Sequence, residues 1–528
     1  MPPGLTAVDS LAVFGLLLLG VVVLTPVADR IGVPQPVLLT IYGLALGVVP
    51  FVPAPDLPPE LILPIVLPPL LFATTQATSL RELRSAARPI LGLAVGLTLV
   101  TAAAVAVVGH ALGLPWAVAI VLGGIVAPPD PVAASAVASR LKLPPRLVTI
   151  LEGEGLFNDA TALVVYQLAV TAVVAGGVTV TQVGVGFLVA VLGGAALGLA
   201  AGWLARKALG LLRDAATETT VTLAVPFGVY LLAEEIGASG VLAVLFAALY
   251  LRTVATSEVT SAGWLLGRSV WQYVEFAVSG LLFAFLGLEL TTVFGTTSLL
   301  GDSQTLLVGG AVIAVLVVVR AAAMFTASGL AGRRARRTGA ATPSGWRESA
   351  VVSWAGMRGV VTVATALALP VTVEGGGPFP AREEVVLVAL MVVVVTLVLQ
   401  GLTLAPLIRR LGVASDADVQ ADVRRLQRRI TEVALEQVRA ADDVPAEVRA
   451  AVLQQYEGRL GYRRSLEGLI DGETRDERIG EALRELLGRA SEAEREAVLE
   501  ARRRGEVSPA AADDVLFDVE ARALRYES

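Results

Sequence analysis

The chain has no cysteine and a single histidine among its 528 residues. Disulfides, thiolate metal sites and thiol nucleophiles are therefore excluded, and His110 alone cannot build a zinc site that needs a second histidine one turn along a helix. His110 reads as structural. No glycine-rich phosphate loop ending in Lys-Ser or Lys-Thr occurs, and no dinucleotide-type glycine fingerprint follows a strand-like run. Nucleotide-driven chemistry thus lacks its phosphate cradle, and no resident cofactor is expected. A formal net charge of -6 leaves no broad basic surface for nucleic acid. No basic stretch precedes Leu11 and no small-residue cleavage pattern closes the first apolar run, so that run is expected to stay as a spanning helix.

What the chain has in abundance is apolar sequence. With 55% hydrophobic residues and a mean hydropathy of +0.73, it reads as an all-α polytopic membrane protein in contact with a lipid bilayer. About thirteen windows of membrane-spanning length recur between Leu11 and Ile408, separated by short Pro, Gly or charged breaks. The weakest lie near Thr219–Glu235 and Gly240–Val254. Charge alternates between the breaks. Every second one is basic: Arg30; Arg81, Arg84 and Arg88; Arg140, Lys142 and Arg146; Arg206, Lys207 and Arg213; Arg252 and Arg268; Arg333, Arg334, Arg336, Arg337 and Arg347. The intervening breaks hold only Arg382 as a strong cation, with acids at Asp56, Glu60, Glu234, Glu235, Asp302, Glu374, Glu383 and Glu384. Since positive loops stay inside, the N-terminus is expected outside and the C-terminal segment in the cytoplasm. After Arg410 the composition turns to Arg, Glu, Asp and Ala, which divides the chain into a membrane part, 1–410, and a helical cytoplasmic tail, 411–528. Val419, Val423, Leu426, Ile430 and Val433 fall at three- and four-residue spacing, so the tail should open as an amphipathic helix.

Charges inside the spans carry the functional reading. With about 1.5 Å of rise per residue, Asp130 falls about 12 Å, Asp159 about 18 Å, Arg320 about 18 Å and Arg358 about 15 Å from the inner face. Two acids and two bases converge on the middle of the lipid core, where ionisable groups usually mark an ion or proton pathway. Two of these charges lie in spans that should break. Three prolines surround Asp130 in Ala127–Pro131 (APPDP), each removing an amide donor and clashing with the preceding turn, and Gly356 and Gly359 flank Met357 and Arg358. Unwound backbone at membrane depth survives only when buried in protein or lining a wet cavity, and transporters place such helices in corresponding halves of an inverted repeat. The fifth and twelfth spans are thus the expected crossing pair. On the sixth, Gly155 and Asp159 share a face, so Asp159 should meet the proline break. Glu154 and Asn158 line a neighbouring face, where Glu154 is expected to pair with Arg320. Glu152 is shallower and expected to reach cytoplasmic water.

These residues resemble those of the monovalent cation:proton antiporters of the first type, which include bacterial NhaP-like proteins and animal sodium/proton exchangers. The resemblance covers nearly all of the membrane part. It rests on LPPLLF at Leu67–Phe72, APPDPVAA at Ala127–Ala134, EGEGLFNDA at Glu152–Ala160, FLGLEL at Phe285–Leu290 and AGMRGVV at Ala355–Val361, in that order. The tail's closing RRRGEVSPAAADDVLFDVEARAL is similar to the ending of a bacterial branch. The resemblance implies an inverted-repeat antiporter fold, a homodimer in the plasma membrane, a core bundle at about 88–174 and 305–408, and an interface half at about 9–80 and 181–292. It also implies roles: Asp159 as ion and proton carrier, Asn158 as its neighbour, Asp130 as a polar element of the broken helix, Glu154 with Arg320 as a structural ion pair, and Arg358 as a balance of charge at the broken ends. Three positions depart from the commoner pattern: Ala73 stands for an acid after LPPLLF, Pro129 for Thr before Asp, and Gly155 for Ser. Thr74, Thr75, the Pro129 carbonyl or water are then the candidates for further cation oxygens.

The expected activity is exchange of a monovalent cation, Na+ foremost and Li+ or K+ as alternatives, for H+. Removing a carboxylate from water favours its protonated form, whereas a bound cation favours the charged form. The two guests exclude each other. An Asn-Asp pair offers one titrating carboxyl, so one proton per cation without net charge movement is expected. A K+/H+ antiporter is the runner-up. A cation channel ranks lower, and an intramembrane aspartyl protease lower still, because Asp130 follows Pro129 and Asp159 follows Asn158 rather than the tyrosine and glycine typical of such enzymes.

Overall fold

The computed structural model describes residues 7–49, 58–77, 87–130, 143–176, 179–254, 258–296, 303–338, 345–413, 419–441 and 445–470, with 489, 492–494, 496–501, 504 and 515 beyond them. The described residues are helical and contain no strand. They fall into two compact units, Met1–Ser415 and Asp416–Ser528.

The first unit opens with α1 (Ala7–Ile31), α2 (Gln35–Gly47) and α3 (Pro59–Ala77), followed by α4 (Ala87–Leu91), a π-helical segment (Gly92–Leu97), α5 (Thr98–Ala111), α6 (Trp116–Val126) and α7 (Pro145–Val174). Next come α8 (Val180–Leu188), a second π-helical segment (Val189–Gly193), α9 (Gly194–Leu211), α10 (Ala215–Glu235), α11 (Gly240–Val254) and α12 (Ser261–Thr296). It closes with α13 (Ser303–Thr338), α14 (Trp346–Trp354), α15 (Val360–Leu367) and α16 (Arg382–Leu411). Nine helices among the described residues are long and apolar enough to cross a membrane, and Gln35–Gly47, Trp116–Val126 and Gly240–Thr253 are shorter apolar helices. Large apolar side chains such as Leu19, Leu204 and Val318 point outward. Such a surface is costly in water and costs nothing against acyl chains, which is why these helices are apolar all round.

Without a hydrophobic drive between helices in lipid, close packing has to come from small residues. The pairing of α2 with α12 illustrates this: a Cβ on Gly43 would overlap the Ala284 carbonyl and one on Gly287 would overlap that of Thr40, so glycine lets the two backbones touch. Around this pair gather α1, α3 and α10, and α11 packs on α3 and α10 with α9 laid along it. A second bundle forms where α6 packs between α5 and α7, α13 lies on α5, α14 and α16, and α15 lies on α16. The two bundles meet where α3 and α12 touch α15. Helix starts follow local chemistry. Before α10, Asp214 Oδ2 accepts from the Thr217 amide at 2.9 Å and its hydroxyl at 2.7 Å, which holds the Asp214 carboxyl below the usual range.

His110 lies near the end of α5, with Nδ1 2.9 Å from the Leu114 carbonyl and its ring stacked on Trp116 at 4.1 Å. In the second unit α17 (Val419–Arg439) pairs with α18 (Ala446–Ile470). The face turned inward carries Thr431 and Leu435, while Ile430 and Val433 of the expected apolar stripe are 55% and 59% exposed. Arg81, Arg84, Arg140, Lys142, Asp56 and Asp302 lie outside the described residues, as do Pro131–Ala134 and nearly all of the tail's closing motif.

Candidate functional site

The site forms where two helices stop in mid-bundle. Prolines at 128 and 129 supply no amide protons to the Gly124 and Ile125 carbonyls, and the next two donors fail as well: the Asp130 amide turns to Met357 O instead of Val126 O, and Pro131 has none for Ala127 O. Arg358 supplies replacements from 231 and 232 residues away: Nη2 donates to Ala127 O at 3.0 Å and Nε to Val126 O at 2.8 Å. A guanidinium also carries positive charge to the negative end of the helix dipole. Its own backbone amide donates to Thr396 Oγ1 of α16 at 3.1 Å, and Nη1 donates to the Gly356 carbonyl. Arg358 is 2% exposed, so it sits at a fully buried junction.

The two breaks are stitched directly. The Asp130 amide donates to the Met357 carbonyl at 2.7 Å, joining the chain after α6 to the chain between α14 and α15. Gly359 makes this approach possible, because any Cβ there would overlap the Asp130 carboxylate.

The same device recurs one helix over. Arg320 of α13 donates through Nε to Val352 O in the last turn of α14 at 3.2 Å. Its other nitrogens form a bidentate pair with Glu154 of α7, Nη1 to Oε1 at 2.6 Å and Nη2 to Oε2 at 3.0 Å. Glu154 is 2% and Arg320 4% exposed. An ion pair so dry needs good geometry and full hydrogen bonding to offset its desolvation, and the fork-on-carboxylate arrangement supplies both.

Facing the breaks are Asn158 and Asp159. Asn158 Nδ2 donates to Pro129 O at 3.1 Å, and its Oδ1 is buried with no hydrogen-bond partner. Asp159 is 8% exposed and Asp130 9%, and the two carboxylates interact electrostatically. Asn158 thus meets the proline break alongside Asp159, although its four-residue spacing also puts it on the face of Glu154. Consecutive residues are about 100° apart on a helix of 3.6 residues per turn, and the unwound segment spans enough of the α7 surface to meet both. Thr75 Oγ1 donates to Leu71 O at 2.6 Å, and Thr74 Oγ1 to Leu70 O at 3.0 Å and Leu71 O at 3.2 Å. Both hydroxyls thus direct their protons to carbonyls within α3. Glu152 is half-buried.

Three buried polar groups escaped the sequence reading: Thr362 of α15, Thr396 and Gln400 of α16. Thr362 Oγ1 and Gln400 Oε1 have no hydrogen-bond partner. Their signal was present, since a glutamine inside a long apolar run departs from its surroundings as much as a charge does. Glu275 of α12 also escaped notice; it is half-buried and interacts electrostatically with Asp130.

Residues 16–410 match the family described as sodium/hydrogen exchanger, transmembrane. A protein of Mycobacterium tuberculosis named as an uncharacterized Na(+)/H(+) exchanger is 33% identical over 443 residues, covering 81% of this chain and 80% of that protein. A Bacillus subtilis protein named as a sodium, potassium, lithium and rubidium/H(+) antiporter is 27% identical, covering 93% of this chain and 74% of its own length. The solved structure of the sodium proton antiporter MjNhaP1 from Methanocaldococcus jannaschii at pH 8 superposes with a TM-score of 0.60 at 18% identity, covering 76% of this chain and 98% of that one, a likeness of fold.

Proposed function

This chain belongs to the sodium/hydrogen exchanger family of monovalent cation:proton antiporters, which are transporters and not enzymes, and from that premise we propose that it exchanges sodium for protons, one for one, at Asp159. The observation that carries this reading is a buried carboxylate beside an unsatisfied buried oxygen. Asp159 is 8% exposed, and the neighbouring Asn158 Oδ1 has no hydrogen-bond partner. Leaving such an oxygen unmatched is costly unless a cation or water uses it. A desodiated Asp159 would be a bare charge in a dry bundle, so it must take a proton before the site can change sides. With either guest bound the carboxylate is neutral and the core can shift; with neither it cannot. Asn158 adds an oxygen without a second titrating group, so each cycle moves one cation one way and one proton the other.

Arg358 and Arg320 hold the site open by engaging the carbonyls at the ends of the half-helices, and Asp130 sits at their crossing. Counting the shorter apolar helices and treating α14 with α15 as one crossing, the chain passes the membrane thirteen times. Its basic breaks and tail lie in the cytoplasm, and it works as a homodimer through the half containing α1–α3 and α8–α12. Potassium is the second reading, supported by the printed name of the Bacillus subtilis relative and by Ala73, Pro129 and Gly155, which leave fewer side-chain oxygens around the cation. The test is cation-dependent proton flux in everted vesicles, with sodium, lithium and potassium titrated over several pH values. Asp159→Asn should abolish flux with every cation. Undiminished flux in that variant would refute the assignment.

A further inference from the structure

Two cavities flank α12 and share the same two side chains, Gln272 and Glu275. One, of about 330 Å³, is bounded by α3, α9, α10, α11 and α12. The other, of about 370 Å³, lies between α2 and α12. The wall contributed by α3 offers only Phe72, Ala73 and Gln76 to the first cavity, so no carboxylate reaches it from that side. Its acids are Glu218 and Glu275. Glu218 is occupied, accepting from the Thr260 amide at 3.2 Å and from the Thr260 hydroxyl at 2.9 Å. Glu275 has no hydrogen bond or ion pair of its own among the described residues, and its electrostatic neighbour is Asp130.

The basic residues of this cavity lie elsewhere along it. Arg252 ends α11, and Arg268 rests over the Trp264 ring at 5.5 Å to the centroid. Seven residues of helix, about 10 Å, separate Arg268 from Glu275. Glu218 is held at Thr260, farther still along the chain from Glu275, so Glu275 is the acid at its own level of α12. Each cavity also presents a buried hydroxyl without a hydrogen-bond partner: Thr219 Oγ1, on a residue 6% exposed, in the first, and Ser279 Oγ, on a residue 8% exposed, in the second. Unmatched hydroxyl oxygens around a carboxylate in a roomy cavity are what a hydrated cation uses.

We infer that Glu275 is the acidic group of a cation vestibule on α12, which binds a hydrated monovalent cation and hands it across to the Asp130–Asp159 site. Carboxylates within electrostatic reach of each other repel, and a cation bound at one of them lowers that repulsion. Glu275 lies within electrostatic reach of Asp130, and Asp130 within reach of Asp159, an order that leads from the cavity residue to the carrier. The vestibule is held by α12, in the bundle that the proposed mechanism keeps still, so it stays in place while the core moves. The inference rests on the antiport reading above.

Everted vesicles carrying Glu275→Gln test it alongside the parent chain and Asp159→Asn. Removing one unit charge about 7 Å from a cation in water lowers the local cation concentration about threefold. The expected result is a rise of at least about threefold in the apparent KM for the cation, with maximal flux within about twofold of the parent. An unchanged KM in an active parent overturns the vestibule. If the parent shows no cation-dependent flux, the antiport reading fails by itself, and a second measurement judges Glu275. Purified full-length protein is treated with a hydrophobic carbodiimide, with and without sodium, lithium or potassium chloride, and modification at Glu275 is followed by peptide mass spectrometry. Slowing by a chloride salt of one of these cations, but not by choline chloride, supports the site; equal rates in all conditions overturn it.

Discussion

At the scale of single residues, two arginines do structurally equivalent jobs in different places. Arg358 takes the carbonyls that end α6, and Arg320 takes one in the last turn of α14 while pairing with Glu154. Glu154→Gln removes the charge that balances Arg320 in a dry setting. Breaking a buried pair from one side costs about 3–5 kcal/mol, so the variant should unfold at a clearly lower temperature in detergent. Glu154→Gln combined with Arg320→Met should regain most of that loss, because no lone charge then remains. A double variant as unstable as the single one would show that the pair's hydrogen bonds, and not its charge balance, hold α7 to α13. Glu154 with Arg320 was legible as a candidate pair, since both lie at membrane depth and each needs an opposite charge. Arg358 was legible as a charge near a break, but its acceptors were not, because carbonyls are the same at every position and no periodicity marks which ones lose their donors.

At the scale of elements, the feature that matters is a helix that stops and is closed off by a side chain from another. Prolines 128 and 129 determine that α6 ends, whatever surrounds it. What stands in for the missing amide protons is a planar guanidinium with forked donors. Arg358→Lys keeps the charge and loses the fork, so it cannot reach Val126 and Ala127 together. With a charge-assisted hydrogen bond worth about 1.5–3 kcal/mol, maximal flux should fall at least about tenfold at comparable membrane yield. Lysine supporting near-parental flux would mean that charge alone suffices at this junction. The α7 faces were read from helical spacing, and the pairing of Glu154 follows that reading. The partner of Asn158 lay beyond it, because the Pro129 carbonyl belongs to an irregular segment whose course a helical wheel does not describe.

For the whole molecule, the alternation of basic and acidic breaks predicts which ends of the helices face which side. The absence of cysteine allows a direct test. Single cysteines replacing Glu374, in the turn before α16, and Arg213, after α9, stand at exposed positions. A membrane-impermeant thiol reagent applied to intact cells should label Glu374→Cys and spare Arg213→Cys, and everted vesicles should give the opposite pattern. The same pattern in both preparations would overturn the orientation.

The sequence alone was enough to specify a helical membrane protein, the order of its spans, the position of its breaks and the presence of ionisable groups at depth. Each of these depends on a local cost: apolar side chains leave water, prolines lack an amide proton, and a charge in lipid demands a partner. Tertiary structure alone decided who the partners are. It set Arg358 against α6, Asn158 against the Pro129 carbonyl and Glu275 within electrostatic reach of Asp130. These pairings join segments far apart in the chain, and they depend on where two bundles cross, a geometry set by close packing throughout the bundles and not by the residues that the crossing brings together.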